Sequence, residues 1–271
     1  MRRAQAVWSL SAAAVIGIGL AVMHAAGAPM PLLVLQAAGG LTALLITLGL
    51  ARFKPDAGST GAVLVTGLAL AFLAAPLAFV GIDGVQRWIP LGPIQLQPAA
   101  IALPVVVWFA AGRGCDRLAA AAMICAAGLC ALQPDLQAAV GLAAAAAALV
   151  ILGRRNVLGF AALATALAAC GVAAFGPVLE PVAYVEEVIR RAFLTAWPLG
   201  VLAAAGLAVV PWLVWKVGSE ARDTALTLAA LWLGLCAMSL TEDFPTPVIG
   251  YGLSWILGFG VSLGLAATHR R

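Results

Sequence analysis

Polar residues in this chain fall in short groups, and long apolar blocks separate them. Ten blocks stand out, at about residues 5–25, 31–51, 60–80, 97–112, 117–133, 135–152, 157–177, 196–216, 222–240 and 248–267. A helix needs about 20 apolar residues to cross the hydrocarbon of a bilayer. In lipid it also satisfies its own backbone hydrogen bonds. The pattern therefore predicts an all-α, polytopic transmembrane helix bundle of about ten helices, with residues 1–271 forming one integral membrane domain. Gly, Pro or charge marks most boundaries, but the fifth and sixth blocks are separated only by "QPD".

Composition supports this: 64% of the 271 residues are hydrophobic and 10% are charged, against about 25% charged in a soluble domain. The net charge of +4 is read as topology rather than as a sign of nucleic-acid binding. With the N-terminus placed in the cytoplasm, the inner segments hold Arg2, Arg3, Arg52, Lys54, Arg113, Arg117, Arg154, Arg155, Lys216, Arg222, Arg270 and Arg271. Only Arg87, Arg190 and Arg191 fall outside. This positive-inside bias predicts both termini in the cytoplasm. Asp83, Asp135, Glu180, Glu186, Glu187, Glu242 and Asp243 collect on the outer side. No Asp, Glu, Lys or Arg lies near the middle of a span, so a site is expected to face outward.

The remaining chemistry is sparse. Cys115, Cys125, Cys130, Cys170 and Cys236 form no CxxC, and His24 and His269 lie near opposite ends. His and Cys at this spacing make no zinc site. Residues 1–28 imitate a secretory signal, but the apolar core is long and another apolar run follows, so they are read as a retained first helix.

The outer-face segments are 81–97, 178–195 and 241–247, and three stretches carry polar information: 84–98, 132–139 and 176–193. In the first, "GVQRWIPLGPIQLQP" places Arg87 beside Trp88. One reading is a belt Trp with a snorkelling Arg; the other is a rigid loop that aims Arg87 at an anionic headgroup. In "LQPDLQAA", Asp135 is either a helix-capping carboxylate or the wall of an outward cavity. In "GPVLEPVAYVEEVIRRAF", Val185, Val188, Ile189, Ala192 and Phe193 recur at helical spacing. They predict an amphipathic helix on the outer surface, with Glu186 and Glu187 four residues before Arg190 and Arg191 on a solvated face.

Together these segments resemble the SEDS family, the cell-division and cell-shape proteins FtsW, RodA and SpoVE. "QRWIPLG" with "LQPAA", then "QPDLQ", then "FPTPVIGYGLSWILGFG" match the family's outer-face motifs in order. Four departures stand beside the match. The Ser and Glu of the family's Gln-Pro-Ser-Glu are Ala99 and Ala100, and the Gly after Gln-Pro-Asp-Leu is Gln137. The long outer loop between the seventh and eighth helices is short, and its His-Thr-Asp-Phe motif, with the proposed catalytic Asp, is absent. "TEDF" at 241–244 looks similar but stands before the last helix, so it is set aside.

The resemblance implies a role in peptidoglycan assembly during division or cell-shape maintenance, in the bacterial inner membrane. Lipid II or another undecaprenyl-linked precursor is the implied ligand, and a transpeptidase or another division or elongation membrane protein the implied partner. The substrate-binding candidates are Arg87, Trp88, Gln97, Gln133, Tyr251 and Ser254. Glu186, Glu187 and Asp135 are the candidate catalytic carboxylates. No cofactor is called for, although a divalent cation would suit the chemistry. Two further classes stay open: a non-catalytic scaffold that binds a polymerase or transpeptidase, and a lipid or solute transporter, against which the lack of an internal repeat counts.

Overall fold

The computed structural model describes residues 2–92, 94–152, 156–177, 179–218 and 221–268. Arg154, Arg155, Arg270, Arg271 and His269, used above, lie outside the described residues.

Each apolar block contains a helix. The first seven are α1 (Arg2–Ala25), α2 (Met30–Phe53), α3 (Thr60–Ala74), α4 (Pro98–Gly112), α5 (Arg117–Leu132), α6 (Leu136–Ile151) and α7 (Val157–Ala173). A short helix α8 (Val188–Thr195) precedes α9 (Trp197–Val217), α10 (Arg222–Met238) and α11 (Leu253–Ala267). Short polar residues start several of them. Ser59, Asp116, Asp135 and Asn156 each accept a hydrogen bond from the amide three residues on, which satisfies an otherwise orphaned first-turn donor.

The ends differ from the apolar blocks where the backbone must turn. α3 stops at Ala74 and passes into a 3₁₀ turn at Ala75–Ala78, because Pro76 has no amide to continue the α ladder. Residues 248–252 are a turn rather than the start of the last helix. The predicted outer helix is confined to α8; residues 183–187 form turns.

Among the described residues, five apolar helical stretches reach 18 residues or more, enough to cross a membrane: Trp8–Ala25, Met30–Phe53, Thr60–Ala78, Trp197–Val217 and Arg222–Thr241. Five are shorter, and α4 and α11 have 15 residues each. At 1.5 Å per residue that is about 22 Å, less than the roughly 30 Å hydrocarbon core. Short helices fit because α4 is an inner helix. It packs on α3, α5, α6, α10 and α11, and most of its side chains are buried. Its N-terminal end therefore lies within protein, where non-helical backbone is tolerated at membrane depth. The outer helices instead present side chains such as Leu10, Val34, Leu41, Leu64, Phe160 and Leu167 to lipid. The chain is a multi-pass membrane protein.

Small residues set the inner crossings, as close packing of helices in lipid requires. Gly260 and Gly264 face α2, where an added Cβ would meet Ala43 and Leu50. Gly141 of α6 and Gly234 of α10 meet backbone to backbone. Trp232 donates to the Ser262 hydroxyl at 2.8 Å and packs edge-on against Trp255 and Phe259.

Candidate functional site

The three outer segments converge at one end of the bundle. The first begins with Asp83 and Gly84, both at positive φ (47° and 85°), between paired Ile82 and Val85. Asp-Gly favours this tight turn because both positions need left-handed backbone. Strands β1 (Ile89–Leu91) and β2 (Ile94–Leu96) then form an antiparallel hairpin, absent from the sequence expectation. It returns the chain to the start of α4.

Arg87 sits between the turn and the hairpin and is only 4% exposed. It is not a snorkelling side chain. Its guanidinium lies 4.2 Å from the Trp88 ring centroid and 5.9 Å from that of Phe244. Its Nε is buried without a hydrogen-bond partner. Burial lowers the Arg87 pKa, opposed by the charges of Asp135 and Glu186. Neither carboxyl comes within the 4 Å of an ion pair among the described residues. A buried cation of this kind is costly unless charge approaches it.

Asp135 is fully buried. One oxygen caps α6 through the Ala138 amide at 3.1 Å, and the other accepts from Gln97 Nε2 at 2.8 Å. The Gln97 amide donates to Ser254 Oγ at 2.8 Å. The capping reading of Asp135 therefore holds, and its second oxygen is taken by Gln97 rather than facing an open cavity. Gln133 stands apart, donating from Nε2 to the Leu73 carbonyl in the last turn of α3, one of the acceptors a helix end leaves unpaired.

The third segment corrects the expectation of a solvated acidic face. Glu186 is 8% exposed and accepts from the Val182 amide at 2.8 Å. Desolvation raises its pKa, against the Val182 hydrogen bond and the Arg87 charge. Glu187 alone takes both arginines, Arg190 at 2.7 Å and Arg191 at 2.9 Å. Those partners, Arg190 foremost, hold its carboxyl below the usual range. Phe193, placed on the apolar face by its spacing, is 45% exposed.

A strap, residues 241–252, closes the site; the sequence marks its motif, and the structure adds its contacts. Glu242 pairs with Arg190 at 3.3 Å, and Phe244 backs Arg87. So the "TEDF" segment set aside by chain order lines the site. The Thr246 amide donates to the Val185 carbonyl at 2.8 Å, and its hydroxyl to the Glu186 carbonyl at 3.1 Å. The Tyr251 amide donates to the Tyr184 carbonyl; partial burial raises the Tyr251 phenol pKa. Two buried glutamines anchor the strap from the core. Gln36 donates to the Val248 and Gly250 carbonyls and accepts from the Gly252 amide. Gln137 donates at 2.9 Å to both the Leu235 and Pro245 carbonyls.

Gln137→Met is therefore expected to leave two buried carbonyls without this donor. The loss should be about 2 kcal/mol, within the usual 1–3 kcal/mol for such a group, because Gln137 Oε1 already lacks a partner. Thermal unfolding in detergent would read the loss, and hydrogen exchange should speed up at the Thr246 and Tyr251 amides. Unchanged protection at both would show that the strap does not depend on Gln137.

The structure thus joins Gln97, Asp135 and Ser254 by hydrogen bonds, while the buried Arg87 stacks on Trp88 and feels the charges of Asp135 and Glu186. Glu187 belongs to the ion pairs of α8, Gln133 supports α3, and Tyr251 pins the strap through its backbone.

No protein-family model and no curated protein matches the chain. Solved structures do. The rod shape determining protein RodA of Thermus thermophilus matches at TM-score 0.66 and 19% identity, over 96% of this chain and 94% of that one. A point mutant of the same protein matches at 0.67 and 20%, over 96% and 95%. A chain from a structure on the coordination of polymerization and crosslinking by a peptidoglycan synthase complex matches at 0.63 and 20%, over 96% of both chains. At these identities the likeness is one of fold. The chain has the RodA fold, a SEDS-like bundle, as the sequence motifs imply.

Proposed function

We propose that this protein handles lipid II or another undecaprenyl-linked precursor at the outer face of the bacterial cytoplasmic membrane, in peptidoglycan assembly during division or cell-shape maintenance. Both termini are then cytoplasmic, and the Arg87 end faces outward. The observation that carries this proposal is the buried, unpaired Arg87 guanidinium beside two carboxyl groups, within a RodA-like fold. A guanidinium fork suits a diphosphate. The Trp88 ring and the strap hold it in place before ligand arrives, which lowers the cost of binding.

In this proposal the protein is a glycosyltransferase. Glu186, not Glu187, accepts the proton of the acceptor hydroxyl, since Glu187 is committed to Arg190 and Arg191. The freed oxygen attacks the donor's anomeric carbon, and the undecaprenyl diphosphate leaves with its charge against Arg87. Asp135 orients Gln97 and does not move a proton. No cofactor is needed; a divalent ion would only share the diphosphate charge. A transpeptidase within the same membrane is the proposed partner. The short outer segment at 178–195 favours one further reading, a non-catalytic protein that binds precursor and scaffolds a polymerase.

Labelled lipid II and purified protein in liposomes separate the two. Glycan strands from wild type, lost at least 100-fold in Glu186→Gln but retained in Glu187→Gln, are expected for the enzyme, in line with the usual worth of a general base. Lipid II bound without product would leave the scaffold. Neither binding nor product would remove the assignment. The rate should rise with pH through a point above the ordinary Glu value of about 4.3, because Glu186 must ionise. Its folded pKa is raised, so its stabilising contribution is present at low pH and lost as pH rises through that value. Glu186→Gln should flatten this stability slope while removing activity.

A further inference from the structure

We infer that the opposite end of the bundle carries a cleft for an anionic glycerophospholipid, independent of the proposed function. The Arg87 site uses the beginnings of α4, α6 and α11. At the far end, α1, α2, α9 and α11 leave a space lined by Trp8, Thr47, Leu48, Ala51, Val217 and Leu263. It is a small, open-mouthed space, about 360 Å³ only when the solvent in its mouth is counted.

The walls select an apolar occupant. Ala51, Val217 and Leu263 present only hydrocarbon. The Thr47 hydroxyl is already engaged with the Ala43 and Gly260 carbonyls at 2.9 Å, so it asks nothing of a ligand. An acyl chain meets these conditions, and water does not.

The flanks select the headgroup. Arg52 follows Ala51 on α2, and Lys216 precedes Val217 on α9. Both are exposed, and neither has a carboxylate within ion-pair distance among the described residues. Two open cations thus stand on the two helices that wall the cleft, each one residue from a lining side chain. The Lys216 ammonium lies 5.4 Å from the Trp215 ring centroid, and Trp212 is also exposed on this turn of α9. Tryptophans at this level mark the membrane interface, where lipid phosphates lie. A phosphodiester with no balancing ammonium complements two cations; a zwitterionic headgroup does so less well.

The test is native mass spectrometry of the full chain, released from nanodiscs of equal phosphatidylcholine and phosphatidylglycerol. Wild type is expected to retain one phosphatidylglycerol in preference to phosphatidylcholine. Arg52→Ala and Lys216→Ala should each cut that preference about fivefold; both residues are on the surface, so the variants should fold. Ala51→Trp, which fills the cleft, should release either lipid. Equal retention of the two lipids by wild type overturns the inference. So does an unchanged preference in the double charge variant, or retained phosphatidylglycerol in a folded Ala51→Trp protein. Dimers in place of lipid adducts would instead make this face an interface between copies, and would also overturn it.

Discussion

Arg87→Met should weaken binding of undecaprenyl diphosphate at least 30-fold while leaving the protein folded. Removing one partner of a buried charge contact typically costs about 2–5 kcal/mol, and 30-fold is the low end of that range. The reasoning is local. The guanidinium is 4% exposed, its Nε lacks a partner, and no carboxylate pairs with it within 4 Å among the described residues. Its hydrogen-bonding capacity is therefore held for something else. Arg87→Lys keeps the charge but loses the planar fork and its stacking on Trp88, so it should recover only part of the affinity. Isothermal titration calorimetry supplies the affinities. Unchanged affinity in a folded Arg87→Met protein would mean that the guanidinium serves only to balance Asp135 and Glu186. Such a protein should also unfold at lower temperature, since two buried acids would lose their nearest cation.

Gly258→Ala is expected to be strongly destabilising, the tightest methyl addition among the described glycines. A Cβ there would overlap the Ala100 carbonyl oxygen and stand 2.7 Å from its carbonyl carbon. Overpacking usually costs about 1–3 kcal/mol. Here the obstacle is backbone at the start of α4 and cannot rotate aside, so a loss of about 3 kcal/mol is expected. The effect should also reach the site. Gly258 lies one turn after Ser254 on α11, and Ala100 lies three residues after Gln97 on α4. Pushing the helices apart strains the Gln97–Ser254 hydrogen bond and, through Gln97, its contact with Asp135. Gly67→Ala is the control. Gly67 lies within α3, has no atom within 4 Å of an added Cβ, and should be neutral or gain up to about 1 kcal/mol from helix propensity. Equal thermal stability of the two variants in detergent would refute the close crossing of α4 and α11.

The helices were legible along the chain because their cause is local. In lipid each apolar block must satisfy its own backbone, so hydropathy and length predict a helix without reference to neighbours. Of the motif residues, Gln97, Asp135 and Ser254 meet through hydrogen bonds, and the Asp135 charge acts on Arg87. The Asp83–Gly84 turn carried a readable signal that was overlooked. The rest depended on contacts between distant segments. Glu186 and Glu187 are adjacent and identical in type, yet one is buried near Arg87 and the other is held by two arginines on α8. That separation follows from where the 183–187 turns meet the strap, 60 residues later at Thr246. Gln36 and Gln137 look like stray polar residues in apolar blocks. Their carbonyl partners lie between 98 and 214 residues away, and no periodicity encodes such pairings. Sequence pattern thus determines which segments become helices, because each helix satisfies its own backbone. Burial and charge partners belong to the folded assembly, because they depend on which distant groups packing brings together.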